Sequence, residues 1–463
     1  MSALAGLALD FASVRRALRD GASVEQLVSE SLRRVRSAAG DGVFLAIADE
    51  AAVRSAARAV EDRRASGAAQ PLAGLAVSVK DNIHVAGLPT TSNCSAIDLR
   101  PEHSAHAVAK LEAAGAVVVA KNTLDQFATG LNGTRSREPL CRNAVNPAYI
   151  PGGSSSGSAV AVARGLVSFA IGTDTGGSGR VPAACNGVVG VKPTLGLVSG
   201  RGLLYNSRLF DTLSVFAASS AEAYEALETM AGHDPDDPFS REDADAIDLT
   251  PSGDGTGVLA TILPDQLRFF GDRAAAAAYE ADLAALRTAG FRLKEIDFSP
   301  FQEAGRLVFG SAFVAERLVE YGAVLERDPA AVHPAVRSAI EPGAGHTAKD
   351  AFEAIYALAA LKRRAQAALA GADALVVPTV PTIFTIDDLL EEPLSRNTIM
   401  GSYTYFANPL DLCAVAAPGN GRSDGLPSSV CFLARATKDA TLRGLAGRFE
   451  AAVAGAVPAS RSP

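Results

Sequence analysis

The sequence has little with which to build disulfides, bind a polyanion or cross a membrane. Five cysteines are spread over 463 residues. The number is odd and no C-x-x-C occurs, so neither a disulfide framework nor a zinc site is expected, and the thiols read as free and buried. Basic residues are outnumbered, 43 Lys and Arg against 51 Asp and Glu, for a net charge of −8. That balance argues against non-specific nucleic-acid binding and against docking on an anionic membrane. Long apolar runs are missing too: "SAVAVARGLVSFAIG" is interrupted by Arg164 and is too short to span a bilayer. The N-terminal "MSALAGLALDFASVRRALRD" has acidic residues and no basic run before an apolar stretch. It does not read as a signal peptide, and the cytoplasm is the expected location. Histidines number six. His84, His103 and His106 read as surface or packing residues, and no His/Asp/Glu cluster has metal-ligand spacing, so neither a metal nor a cofactor is expected. No internal repeat is visible.

What is present suits a globular chain with a large core: 48% hydrophobic and 20% charged residues. Apolar strands ("LAGLAVSVKDNI", "AVVVAKN", "VSFAIGTD", "VVGVKPT", "GVLATIL", "ADALVVPTV") alternate with helical patterns such as "HAVAKLEAAG" and "RAAAAAYEADLAALRTAG". Ser23 and Gln26 form a capping-box pattern at the head of an early helix. The alternation predicts an α/β fold, a large mixed, mostly parallel β-sheet sandwiched between helices. The length admits several domains, yet large α/β enzymes reach it as one unit, and residues 1–463 are read that way. The acidic, Pro- and Gly-rich stretch from His233 to Gly257 reads as a solvated surface excursion.

Two Ser/Gly stretches carry the chemistry. "PGGSSSGSA", from Pro151 to Ala159, has the composition of a linker. No Lys follows Gly157, so it is not a P-loop, and its glycine spacing is wrong for a dinucleotide loop. Gly153 to Gly157 does satisfy G-x-S-x-G, but no apolar strand precedes it, as a nucleophile elbow needs. "GTDTGGSGRVPAACNG" begins at Gly172, at the end of an apolar strand and before a helix. Consecutive backbone N–H groups at a helix N-terminus make an anion-binding concavity around Ser178, the kind an acyl-transfer oxyanion requires. A serine needs a base, and no histidine lies near either stretch. Lys80, at the end of "AVSVKDNI", is a candidate, because burial favours a neutral amine.

These stretches, with "SVKDNIHVAGLPTTSNCSA" and "VVVAKNTLDQFATG", closely resemble the amidase signature family from about Leu72 to Val215. The resemblance implies a Ser–cis-Ser–Lys triad: Ser178 as nucleophile, Ser154 as bridging serine after a cis peptide, and Lys80 as base. The separation, 178 − 154 = 24, matches the family's. It also implies an oxyanion hole from the backbone of Thr175, Gly176, Gly177 and Ser178, support from Ser155, and a loop held in shape by Asp174 and Arg180. The implied activity is hydrolysis of a small amide, ureide or carbamate (urethane) through a seryl acyl-enzyme, with water as second substrate.

Within the family, "NTLDQFATGLNGTRS", "FGSAFVAERL" and "NPLDLCAVAAP" are most similar to the amidase domain of the allophanate hydrolase branch. That likeness implies substrate contacts from Gly130, Leu131 and Asn132, from Arg317, and from Arg208. In that branch a Tyr eight residues before the Arg grips the substrate carboxylate; here 317 − 309 = 8 falls on Phe309. The branch's C-terminal domain is also expected to be absent. A less polar pocket and a broader substrate range are therefore expected, with allophanate itself as the alternative. An amidotransferase subunit with a partner chain and a non-catalytic scaffold are the competing classes, and a homodimer is left open.

Overall fold

In the computed structural model, which describes residues 4, 6–253, 255 and 257–456, eleven strands hydrogen-bond into one sheet. They are β1 (Phe44–Ile47), β2 (Ala76–Lys80), β3 (Val117–Asn122), β4 (Phe169–Asp174), β5 (Val189–Lys192), β6 (Thr212–Ala217), β7 (Val258–Ile262), β8 (Arg292–Ile296), β9 (Ala374–Pro378), β10 (Leu412–Pro418) and β11 (Ser429–Arg435). Their spatial order is β1-β3-β2-β4-β6-β5-β10-β11-β9-β7-β8. Helices cover both faces, and Ser23 and Gln26 cap the Val24–Ser37 helix reciprocally.

The central strands are buried on both faces, and residue parity sorts their side chains. Val77, Val79, Phe169, Ile171, Leu213 and Val215 join a cluster on one face that runs from Leu9 to Phe449. Ala76, Ala170 and Phe216 point the other way. Residues early and late in the chain therefore share the first of these clusters. Among the described residues, no helix is long and apolar enough to cross a membrane.

The sheet is mixed, as expected, but its mostly parallel character is not found. Four pairings are parallel (β3–β2, β2–β4, β9–β7 and β7–β8). The other six are antiparallel. The reason is physical. Continuous apolar runs report burial on two faces, and burial does not depend on strand direction. The antiparallel strands β6, β10 and β11 are as buried as β2 and β4.

The acidic segment is exposed over most of its length but anchored at several buried positions. Asp234 and Asp237 are buried rather than solvated. Asp237 accepts from Gly200 N at 2.7 Å and Ser199 Oγ at 3.1 Å. Asp234 accepts from Ser199 Oγ at 2.7 Å and Arg201 Nε at 2.9 Å. Ala244 and Leu249 enter the main core, while Asp254 and Thr256 lie outside the described residues. The segment is a docked strap whose carboxylates cap the 199–201 loop. Asp237→Ala would strand the Gly200 N–H. It is expected to lower unfolding free energy by about 1–3 kcal/mol, read from urea melts; a loss near zero would return the segment to a solvated excursion.

Candidate active site

Strand ends bring the two Ser/Gly stretches and Lys80 together. Lys80 closes β2 and is fully buried. Its Nζ donates to Ser154 Oγ and to Thr173 Oγ1, both at 2.7 Å. Burial pulls the ammonium down to about 7, against the opposing charges of Asp211, Asp125 and Asp174. An amine this close to neutrality can exchange a proton with the hydroxyl beside it.

The Gly153–Ser154 peptide is cis. A Cβ on Gly153 would collide with Asp125 Oδ2, so only glycine fits there. Asp125 ties this corner together. Its N–H donates to Ser154 O at 3.0 Å, and its carboxylate accepts from the backbone N of Asn132, Gly133 and Arg135 at 3.0–3.2 Å. Ser155 Oγ donates to Thr173 O at 3.1 Å.

The loop after β4 is organised by one carboxylate. Asp174 accepts from Gly177 N and Gly179 N, each at 2.9 Å. It also takes a bidentate grip from Arg180, at 2.9 and 2.8 Å. This narrows the four-amide expectation, because the Gly177 N–H is already engaged. Among the described residues, the N–H groups of Thr175, Gly176 and Ser178 have no protein acceptor. They remain the candidate donors toward an oxyanion. Ser178 is nearly buried and borders a cavity of about 280 Å³.

The cavity walls come mostly from other parts of the chain. Gly130 and Leu131 line it, but Asn132 does not. Instead, Asn132 is buried behind the wall, where its Nδ2 donates to Asn397 Oδ1 at 2.8 Å. Arg317 lines the cavity and gives a single hydrogen bond, from Nε to Asn206 Oδ1 at 3.1 Å. Its terminal nitrogens have no partner among the described residues. Burial pulls its pKa down. Its guanidinium lies 5.5 Å from the Phe309 ring centroid. Neighbouring Glu316 binds Ser207 Oγ and Leu209 N instead of Arg317. Arg208 is not part of the cavity. Its side chain is about half exposed, pairs with Glu320 at 3.6 Å and lies over Tyr205. Glu320 on the neighbouring helix and the exposure of residues 208–209 hold it away.

Several cavity residues escaped the sequence reading. Arg135 is almost fully buried in the wall. Tyr405 packs on Phe309, with ring centroids 4.3 Å apart. Outside the lining, half-buried Asp211 accepts from Thr175 Oγ1 and Asn206 N, and burial pushes its carboxyl up to about 6. Thr173 and Asp211 lie in or near recognisable stretches. Tyr405 is 405 − 178 = 227 residues beyond Ser178, and nothing local marks it. The lining also holds two arginines and a phenol and no carboxylate.

A sequence model of the family described as Amidase matches residues 26–442. Urea amidolyase of Saccharomyces cerevisiae is 36% identical over 382 residues, covering 82% of this chain and 21% of its own length. The chain spans about a fifth of the urea amidolyases it matches. A glutamyl-tRNA(Gln) amidotransferase subunit of Anaeromyxobacter sp. (strain K) is 32% identical, with 95% of each chain covered. A solved structure of Kluyveromyces lactis allophanate hydrolase superposes with a TM-score of 0.86 at 33% identity, over 94% of this chain and 73% of that one.

A Cβ on Gly176 would lie 2.5 Å from Phe309 Cζ and 2.9 Å from Tyr405 Cδ1. Gly176→Ala must therefore displace the ring pair or the loop beside Ser178. Labelling of Ser178 by a serine-directed covalent probe is expected to slow by about 10²-fold, with the melting temperature little changed. Unchanged labelling would mean the rings yield freely.

Proposed function

The chain belongs to the amidase family and is a hydrolase of carbon–nitrogen bonds other than peptide bonds; on that premise we propose that it cleaves a small ureide bearing a carboxylate, of the allophanate class, through a seryl acyl-enzyme. The observation that carries the chemistry is the 2.7 Å contact between Lys80 Nζ and Ser154 Oγ, with the amine held near neutrality. Neutral Lys80 takes the Ser154 proton as Ser154 takes that of Ser178. Ser178 Oγ attacks the carbonyl carbon, and the free amides of Thr175, Gly176 and Ser178 receive the oxyanion. The proton returns through Ser154 to the leaving nitrogen as the C–N bond breaks. Water, deprotonated by the same relay, then releases the acyl group.

The substrate class rests on Arg317, a buried cation with unpartnered terminal nitrogens in the cavity wall. A small volume, about 280 Å³, favours a compact molecule. A second reading, an uncharged amide or an aryl carbamate, is favoured by the aromatic face of Phe309. An amidotransferase subunit is favoured only by the full-length match to that class.

A panel of allophanate, a short aliphatic amide, an anilide and an aryl carbamate separates the substrate readings; preference for allophanate is expected. Ser178→Ala should abolish turnover with the fold intact, and an active variant would falsify the mechanism. The amine acts only when neutral. With its folded value near 7, kcat/KM is expected to fall about tenfold per unit below pH 7 and to level off above it. A profile flat from pH 5 to 8 would remove Lys80 as the base.

A further inference from the structure

Position 309 offers no hydroxyl, yet the same cavity holds one on the ring packed against it. Tyr405 borders the cavity with Arg317, Arg135 and Phe309, and it packs on Phe309 at 4.3 Å. Its hydroxyl oxygen accepts from Asn397 Nδ2 at 3.2 Å. That bond aims the lone pair at Asn397 and the proton elsewhere. The acceptor nearest to the proton is Asn397 O, at 3.4 Å, well beyond the usual 2.5–3.0 Å for O–H···O. The proton is therefore poorly satisfied inside the protein.

Asn397 is itself fixed. Its Oδ1 accepts from Leu131 N and from Asn132 Nδ2, both at 2.8 Å. The phenol is thus held by a rigid amide rather than left to swing. Burial pushes its pKa up to about 12, against the pull of Arg135 and Arg317, so it stays protonated and remains a donor at working pH. Arg135 adds a second cation to the wall; its terminal nitrogens donate to Thr129 O at 3.1 Å and Pro393 O at 3.2 Å, while its Nε lacks a partner among the described residues. Two buried guanidiniums and a weakly engaged O–H, with no carboxylate in the lining, make this wall receptive to an anion.

We propose that Tyr405, not residue 309, supplies the hydroxyl that works with Arg317 to hold the substrate carboxylate, which makes it a specificity-determining residue of this site. This rests on the ureide reading above. Phe309 then serves as the surface against which the Tyr405 ring packs, and its lack of a hydroxyl does not make the pocket apolar.

The test measures binding apart from turnover. The probes are malonamate, the stable methylene isostere of allophanate, and malonamide, its neutral counterpart, titrated by calorimetry into the full chain carrying Ser178→Ala, with and without Tyr405→Phe. Loss of one hydrogen bond to a charged group corresponds to roughly a tenfold to hundredfold weaker Kd. That loss is expected for malonamate, with malonamide changed less than twofold. Equal loss of both probes, or a malonamate Kd within threefold of the parent, would overturn the role of Tyr405. In steady-state assays Tyr405→Phe should raise KM for allophanate and spare kcat; a fall in kcat alone would also overturn it. If the wild-type chain binds malonamate through Tyr405 yet does not hydrolyse allophanate, the proposed reaction fails while the anion site stands.

Discussion

The Asp174–Arg180 pair is the constraint on which the site depends. Both groups are fully buried. Burial alone would raise the Asp174 carboxyl, but the Arg180 guanidinium beside it wins and holds it below its usual range. An ion pair so placed contributes little net stability, because desolvation offsets attraction; losing one partner costs far more, about 3–5 kcal/mol. What the pair does contribute is geometry. One carboxylate takes two loop amides and a bidentate guanidinium, while Arg180 also reaches Thr404 O and Asn408 Oδ1 at 3.1 Å. Asn408 in turn donates to Asp174 O at 2.7 Å. The loop that carries Ser178 is thereby bolted to a segment more than two hundred residues away.

Other buried charges near it are left without such partners, and they are the ones with chemical latitude. Lys80 touches only hydroxyls, and burial outweighs the more distant charges of Asp211, Asp125 and Asp174. Arg317 has one neutral acceptor. Asp211 is held by a hydroxyl and an amide rather than by a cation. Paired burial makes a rigid frame, and unpaired burial makes groups whose protonation or ligation can change. Both kinds lie within one small region of the sheet.

How much of this was legible in the sequence follows from distance along the chain. Lys80, Ser154 and Ser178 sit on stretches that repeat a family pattern, and each was read from its neighbours. The α/β class followed from the alternation of elements, and the capping box at Ser23 from four residues. Strand direction was not legible, because apolar runs record burial alone. Asp234 and Asp237 looked like solvated acid because composition cannot show the loop N–H groups that bury them. Arg208 was placed by analogy and is held elsewhere by Glu320. Tyr405 and Arg135 depend on how distant segments fold back, which no local spacing encodes.

The cavity is built from two separable lengths of chain. In the proposed reaction, proton transfer and oxyanion contacts come from residues 80–178, whereas Phe309, Arg317 and Tyr405 supply much of the wall. They meet where the aromatic pair rests on Gly176 and where Arg180 grips the 404–408 segment. A lineage can therefore exchange one substrate for another by drift in the later segment while the reactive half stays under strict selection. On the proposed role of Tyr405, the position of a hydroxyl can likewise move between facing rings while the reaction is kept. Two sequences that differ at both ring positions need not differ in what they hydrolyse, and single-position comparisons across such a lineage will mislead.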